Sequence, residues 1–140
     1  MLDGEPLPSH FGWFSSRGYA GIEIAPFTVA PTVDLISQEA RRRIAEAADA
    51  SGLSVTGLHW LLAGPAAATQ AWHLTAPSRS VRSATAAYLG ALARFCADVG
   101  GSFLVLGSPR QRSTVDGLAV DRATANLIES LALAMPAISD

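Results

Sequence analysis

The 140-residue chain is 49% hydrophobic and 16% charged, with a formal net charge of -2. That length holds one domain with a real core, the apolar share excludes a disordered chain, and the slightly acidic balance excludes the basic footprint of a nucleic-acid binder. All 10 basic residues are arginine, so Schiff-base chemistry on a lysine is excluded too.

The single cysteine, Cys96, has no partner for an internal disulfide and lies in an apolar helical pattern, where a thiol behaves as a small hydrophobe. A reducing, cytoplasmic setting is expected. Met1 to Pro8 holds acids and prolines where a leader would need a basic start and an apolar run. No stretch reaches the ~18 consecutive apolar residues of a membrane span, so the chain reads as soluble.

Residues 1–18 read as an irregular N-terminal segment, with the remains of a helix at Pro8 to Arg17. From Tyr19 onward, short apolar runs alternate with longer amphipathic ones, the pattern of βαβ units on a parallel sheet. The first strand is expected over Tyr19 to Ala25, between Gly18 and Pro26. A helix follows from Leu35 to Ala50, capped by Asp34 or Ser37 and ended by Gly52. Its apolar face is Leu35, Ile36, Ala40, Ile44 and Ala47, with Arg41, Arg42, Glu46 and Asp49 facing water. A second strand spans Ser54 to Leu61, and Leu62 to Ser78 is a long aperiodic loop of the kind that often carries function.

Ser78 or Ser80 caps the next helix, with Val81, Ala84, Tyr88, Leu92, Phe95, Cys96 and Val99 on one face. Gly100 and Gly101 end it. Ser102 to Leu106 is a continuous apolar run, as expected of a strand buried on both faces. The last helix runs from about Ala119 to Met135, with Val120, Ala123, Leu127 and Leu131 inward and Pro136 closing it.

Three stretches carry a resemblance: Gly18 to Thr28 (GYAGIEIAPFT), Gly57 to Leu62 (GLHWLL) and Gly100 to Arg112 (GGSFLVLGSPRQR). In this order and spacing they resemble the xylose isomerase-like TIM-barrel family of sugar and sugar-phosphate isomerases, ketose 3-epimerases and hydroxypyruvate isomerase. The resemblance covers Tyr19 to about Met135. It implies an α/β fold, an incomplete (β/α)8 barrel over residues 19–140, whose three strands correspond to the second, third and fourth of eight. It further implies that a complete family enzyme uses a divalent metal, Mn²⁺ or Mg²⁺, for proton transfer beside a carbonyl. The family's ligands, two Glu, an Asp and a His on the last four strands, would lie beyond Asp140, so no metal ligand is assigned to this chain.

Met1 to Ser16 supplies no apolar run for the family's opening strand. Closing a barrel takes eight strands and typically about 250 residues, so the chain is expected to be a fragment, a pair-forming half-barrel or the product of a shortened reading frame. Homo-oligomerisation through the open barrel is one expected outcome.

Barrel pockets lie at the C-terminal ends of the strands. Glu23 alternates with Ile22 and Ile24 and so takes the opposite pleat. It lines a sugar pocket, or else it is a structural carboxylate paired inside the barrel. His59, with Leu58 and Trp60 on the opposite pleat, contacts a sugar oxygen or is a satisfied buried histidine. Trp60 offers a flat face for a sugar ring, or belongs to the core. Ser108, Arg110 and Arg112 follow the third strand, where an arginine fork suits a phosphate or carboxylate, although solvated loop arginines explain them equally simply. His73 is either part of a lid or an ordinary loop histidine, and His10 has no motif around it. The three histidines match no zinc spacing, and no phosphate-binding glycine loop or serine elbow is present.

Two functions are compatible with this inventory. One is a piece of a sugar isomerase- or epimerase-like barrel, with a small sugar or hydroxy-carbonyl compound as substrate. The other is a non-catalytic βα domain that binds a small polyol or anion, or packs on a partner chain.

Overall fold

The computed structural model describes residues 6–64, 72–107, 112–115 and 117–139. Helix and strand alternate in it: α1 (Phe11–Ser16), β1 (Gly21–Ile24), α2 (Gln38–Ala50), β2 (Ser54–Leu58), α3 (Arg79–Asp98), β3 (Phe103–Leu104) and α4 (Val120–Ser139). A 3-10 turn at Leu7–His10 leads into α1, and two more, Pro26–Thr28 and Val33–Leu35, lie between β1 and α2. No helix among the described residues is long and apolar enough to cross a membrane.

Each helix that feeds a strand ends in the same way. Gly18, Gly52 and Gly100 take left-handed φ angles of 84, 67 and 86°. The residue after each donates its N–H five residues back: Tyr19 to Phe14 O, Leu53 to Ala48 O, and Gly101 to Cys96 O, at 3.2, 2.9 and 2.8 Å. This Schellman closure favours glycine because a Cβ disfavours that φ. It makes α1 the first of three equivalent helix-to-strand steps, a role that the short helical remnant at Pro8 to Arg17 does not reveal by periodicity.

The strands are parallel in the order β1-β2-β3. Gly21 and Ile22 lie opposite Ser54 and Val55, but Glu23 lies opposite Gly57. Thr56 is therefore the extra residue of a β-bulge, and its hydroxyl donates to Ile22 O at 3.0 Å. The ladder runs on past the formal strands, through His59 N to Ile24 O (3.1 Å) and Val105 N to Leu58 O (2.8 Å). Phe103 lies directly over Gly57: a Cβ there would come within 2.3 Å of Phe103 O and 2.7 Å of its ring. Ile24 and Leu58 are buried in a core shared with Ile44, Ala48, Leu92, Phe95 and Cys96.

Several expected bounds shift. β1 and β2 are shorter than Tyr19 to Ala25 and Ser54 to Leu61, because Pro26 opens a 3-10 turn and Trp60 turns into a left-handed conformation. Ser37, not Asp34, caps α2, accepting from Ala40 N at 3.2 Å. Leu35 falls in the preceding turn and is 66% exposed. Arg41 does not face water: it bonds Ile36 O, Val33 O and Asp98, and lies 5.5 Å from the Phe95 ring centroid. Neither Ser78 nor Ser80 caps α3 with its side chain; the two hydroxyls bond each other at 2.8 Å. On α3, Ala84 is exposed and Thr85 and Ala86 take the inward positions. β3 is an edge strand, so Phe103 and Val105 remain 44% and 40% exposed instead of buried on both faces.

Helix α4 departs furthest from expectation. Of the expected stripe, Ala123 is buried and Leu127 and Leu131 pack partly buried against the core, but Val120 is exposed and Asn126, Ser130 and Ala134 are buried with Ala123. Pro136 does not close the helix, which continues to Ser139. Packing outweighs the lost N–H here: a Cβ on Gly90 of α3 would meet the Ala137 Cβ at 2.8 Å, so the glycine lets the two helices close beyond the proline.

The polar stripe exists because residues 74–76 run through the interior. Asn126 donates to Thr75 O and Ala76 O, Ser130 to Leu74 O, and Arg82 to Ala76 O and Pro77 O. Arg82, itself 3% exposed, pairs with Glu129 at 2.6 Å. Trp72 stacks on Tyr88 at 3.7 Å, and the Tyr88 hydroxyl accepts from Val33 N at 3.2 Å.

Gly57→Ala is expected to lower the unfolding free energy by ~1–3 kcal/mol or more, measured by denaturant melts, since the methyl group meets the Phe103 carbonyl as well as its ring, and the carbonyl cannot swing aside. A second expectation concerns alkaline pH. Burial raises the Tyr88 phenol, opposed by the Val33 N–H and reinforced by Asp34. Burial also raises the Cys96 thiol, opposed by its bonds with the Phe103 and Leu58 backbone. Both groups hold their protons more tightly folded than unfolded. Their contribution is complete below the ordinary thiol and phenol values of about 8.5 and 10, and is lost as pH climbs through the folded values. The denaturation midpoint should fall above that range, and Tyr88→Phe with Cys96→Ala should flatten the fall.

Candidate functional site

The bulge at Thr56 aims the site. Because Gly57 is opposite Glu23, His59 arrives beside the carboxylate, and its Nδ1 lies 3.3 Å from Glu23 Oε2. The pair is about one-third exposed, with side-chain accessibilities of 36% and 38%. The exposure does not fit a satisfied buried histidine, and the partner of the Glu23 carboxylate is His59. Whether Nδ1 carries the proton depends on the tautomer; with that nitrogen turned to Glu23, Nε2 is the one that can address a ligand.

A cleft of about 670 Å³ opens beside the pair. Glu23, Thr56 and His59 form its sheet wall, and Leu7, Phe14 and Tyr19 of the N-terminal segment form the other. Such a volume lies in the range of small-molecule sites. A second cavity, about 310 Å³, lies between β3, α3 and α4 and is lined by Leu89, Leu104, Leu131 and similar side chains. Its ionisable group, Cys96, is buried and held protonated by burial, so that cavity offers packing space and no chemistry.

Trp60 stands at the C-terminal end of β2 with φ 52°, the one described residue other than glycine in the left-handed region. It is 57% exposed, so it does not belong to the core. Its ring stacks on Phe27 at 5.7 Å and meets His59 edge-on at 6.5 Å. Backbone strain of this kind collects at functional sites.

The other candidates separate from this group. His73 is tied down locally, its N–H donating to Thr85 Oγ1 at 2.9 Å and its Nδ1 accepting from Thr75 N at 3.3 Å, and it does not line the cleft. His10 lies outside the lining too, with a buried Nε2 that has no partner among the described residues. Arg112 is exposed. Ser108 and Arg110 lie outside the described residues. The sequence patterns missed Leu7, Phe14, Tyr19, Phe27 and Thr56; glycine at position 57 inside a strand was the available hint of a bulge.

Among the described residues, no three His, Cys, Asp or Glu side chains come together as a metal site. Glu23 and His59 make two donors, short of the three protein ligands typical of a catalytic ion such as zinc.

A family model described as xylose isomerase-like TIM barrel matches residues 11–140, taking in α1 as well as the three strands and α4. No curated protein matches the chain.

The left-handed backbone at Trp60 gives a direct test. Trp60→Gly and Trp60→Ala both remove the stack on Phe27, but only glycine relieves the φ. The glycine variant should therefore be the more stable of the two by ~1 kcal/mol in paired thermal melts.

Proposed function

The chain belongs to the xylose isomerase-like TIM-barrel family, and on that premise we propose that it forms a substrate-binding wall of a sugar isomerase- or epimerase-like barrel. The observation that carries the reading is the Glu23–His59 pair, held at 3.3 Å at the C-terminal ends of two adjacent parallel strands, the end where barrels of this kind bind their ligands. Acting together, a carboxylate and an imidazole can accept from and donate to neighbouring hydroxyls of a sugar or hydroxy-carbonyl compound. Glu23 holds the ring through Nδ1, which leaves Nε2 of His59 to make a hydrogen bond with a ligand oxygen.

In a complete family enzyme, a divalent Mn²⁺ or Mg²⁺ would stabilise the oxygen that becomes negative when a proton leaves the adjacent carbon. The described residues form no site for that ion. Its ligands would come from further strands, and no step here is routed through it. Two features support further strands. The outer edges of β1 and β3 have no partner strand among the described residues, and Phe103 and Val105 leave apolar surface on the inner face. The same features favour the second reading, a non-catalytic domain that packs on a partner chain, a second copy included. The free, buried Cys96 fits a reducing, cytoplasmic setting.

One experiment addresses both readings. The 140-residue chain is titrated with a ketose by NMR in deuterated water, following binding and exchange of the proton beside the carbonyl. Saturable binding is expected, weakened in Glu23→Gln and in His59→Ala by roughly tenfold or more, the worth of a hydrogen bond to a charged group. Exchange by the chain alone would refute the non-catalytic reading. Absence of binding would sink the sugar-site assignment.

A further inference from the structure

We infer that the cleft beside β1 selects ring-form sugars over open-chain polyols, by taking a hydroxyl edge on Glu23 and His59 and a C–H face on Tyr19; this rests on the sugar-site reading above. The cleft has two unlike walls. On the sheet side the polar groups are few: the Thr56 hydroxyl is committed to Ile22 O at 3.0 Å, which leaves Glu23 and His59 as the groups that meet a ligand. On the other side stand Phe14 and Tyr19.

Tyr19 is 58% exposed, yet its position is fixed. It follows Gly18 in the closure of α1, with its N–H on Phe14 O at 3.2 Å. An apolar contact commonly joins the two residues so bonded, and here the rings of Phe14 and Tyr19 meet edge to face at 6.1 Å and 83°. Trp13 backs Phe14 in the same way at 5.4 Å, and the Arg17 guanidinium lies 5.0 Å from the Trp13 ring centroid. The aromatic wall is thus braced from behind, and a ligand that uses it has little ordering to impose.

Flat aromatic faces favour ligands with a contiguous apolar face. A pyranose such as glucose has one on each side of its ring, because its ring C–H bonds are largely axial while the hydroxyls project from the edge. A linear alditol of the same carbon count exposes hydroxyls in every direction and has no such face.

The test is a ligand-observed NMR titration of the 140-residue chain with D-glucose, which is a pyranose in water, and with sorbitol, its open-chain alditol. The pyranose should bind about three- to tenfold more tightly, the range of an aromatic contact. Tyr19→Ala should bring the ratio to about one while sorbitol affinity holds, and Tyr19→Phe should keep the ratio. Tyr19→Leu retains the apolar contact that closes α1 but removes the flat face; it should behave like the alanine variant and substitutes for it if that variant does not fold. Equal affinities in the unmodified chain, or a ratio that Tyr19→Ala and Tyr19→Leu leave unchanged, would overturn the inference and leave the Glu23–His59 site standing. No saturable binding of either compound would overturn both.

Discussion

Backbone that crosses a protein interior must have its carbonyls satisfied, and residues 74–76 impose that condition on two helices at once. Helix α4 meets it with Asn126 and Ser130, α3 with Arg82. Because those donors must reach the same short segment, α4 is drawn against α3 along its whole length, down to the close approach of Ala137 on Gly90. The segment carries Trp72 onto Tyr88, and Tyr88 in turn takes the Val33 N–H. The loop after β2 is thereby linked to the connection after β1. Those two connections follow the strands that carry Glu23 and His59.

That constraint also explains what could be read from the sequence and what could not. Strand and helix order were legible, as were the terminators Gly52 and Gly100, because each follows from a local rule: period two, period 3.6, glycine at a positive φ. The stripe of α4 was legible only in part. Hydropathy favours Val120 and Leu131 over Asn126 and Ser130, and only the carbonyls of a loop far along the chain reverse the choice. Arg41 and Arg82 are further cases: charge predicts solvent, whereas carbonyls and a carboxylate already waiting in the fold take the guanidinium inside. Phe103 fails in the other direction, apolar but exposed, because its burial depends on a neighbouring strand that the described residues do not supply.

The candidate site was half legible. Alternation put Glu23 and His59 on pocket-facing pleats, but their mutual contact depends on the bulge at Thr56, which shifts one strand by a residue relative to the other. No periodic pattern encodes that shift. The bulge and the left-handed Trp60 lie within a few residues of each other, at the end of β2, and both are departures from regular strand geometry that local propensity would disfavour. Such departures persist where the surroundings over-determine them; here the ladder bond from His59 N to Ile24 O and the stack of Trp60 on Phe27 supply that restraint.

The electrostatics of the pair depend on what covers it. A carboxylate–imidazole contact about one-third exposed sits in high dielectric and contributes little on its own. Glu23, Gly57 and Phe103 share a pleat of the sheet, so any element that buries the exposed Phe103 ring would also cover the ground between it and Glu23. Covering that face would lower the local dielectric and strengthen the Glu23–His59 contact. The bulge at Thr56 sets the layout of this face: it puts Gly57 opposite Glu23, and only a glycine there lets Phe103 lie as close as it does.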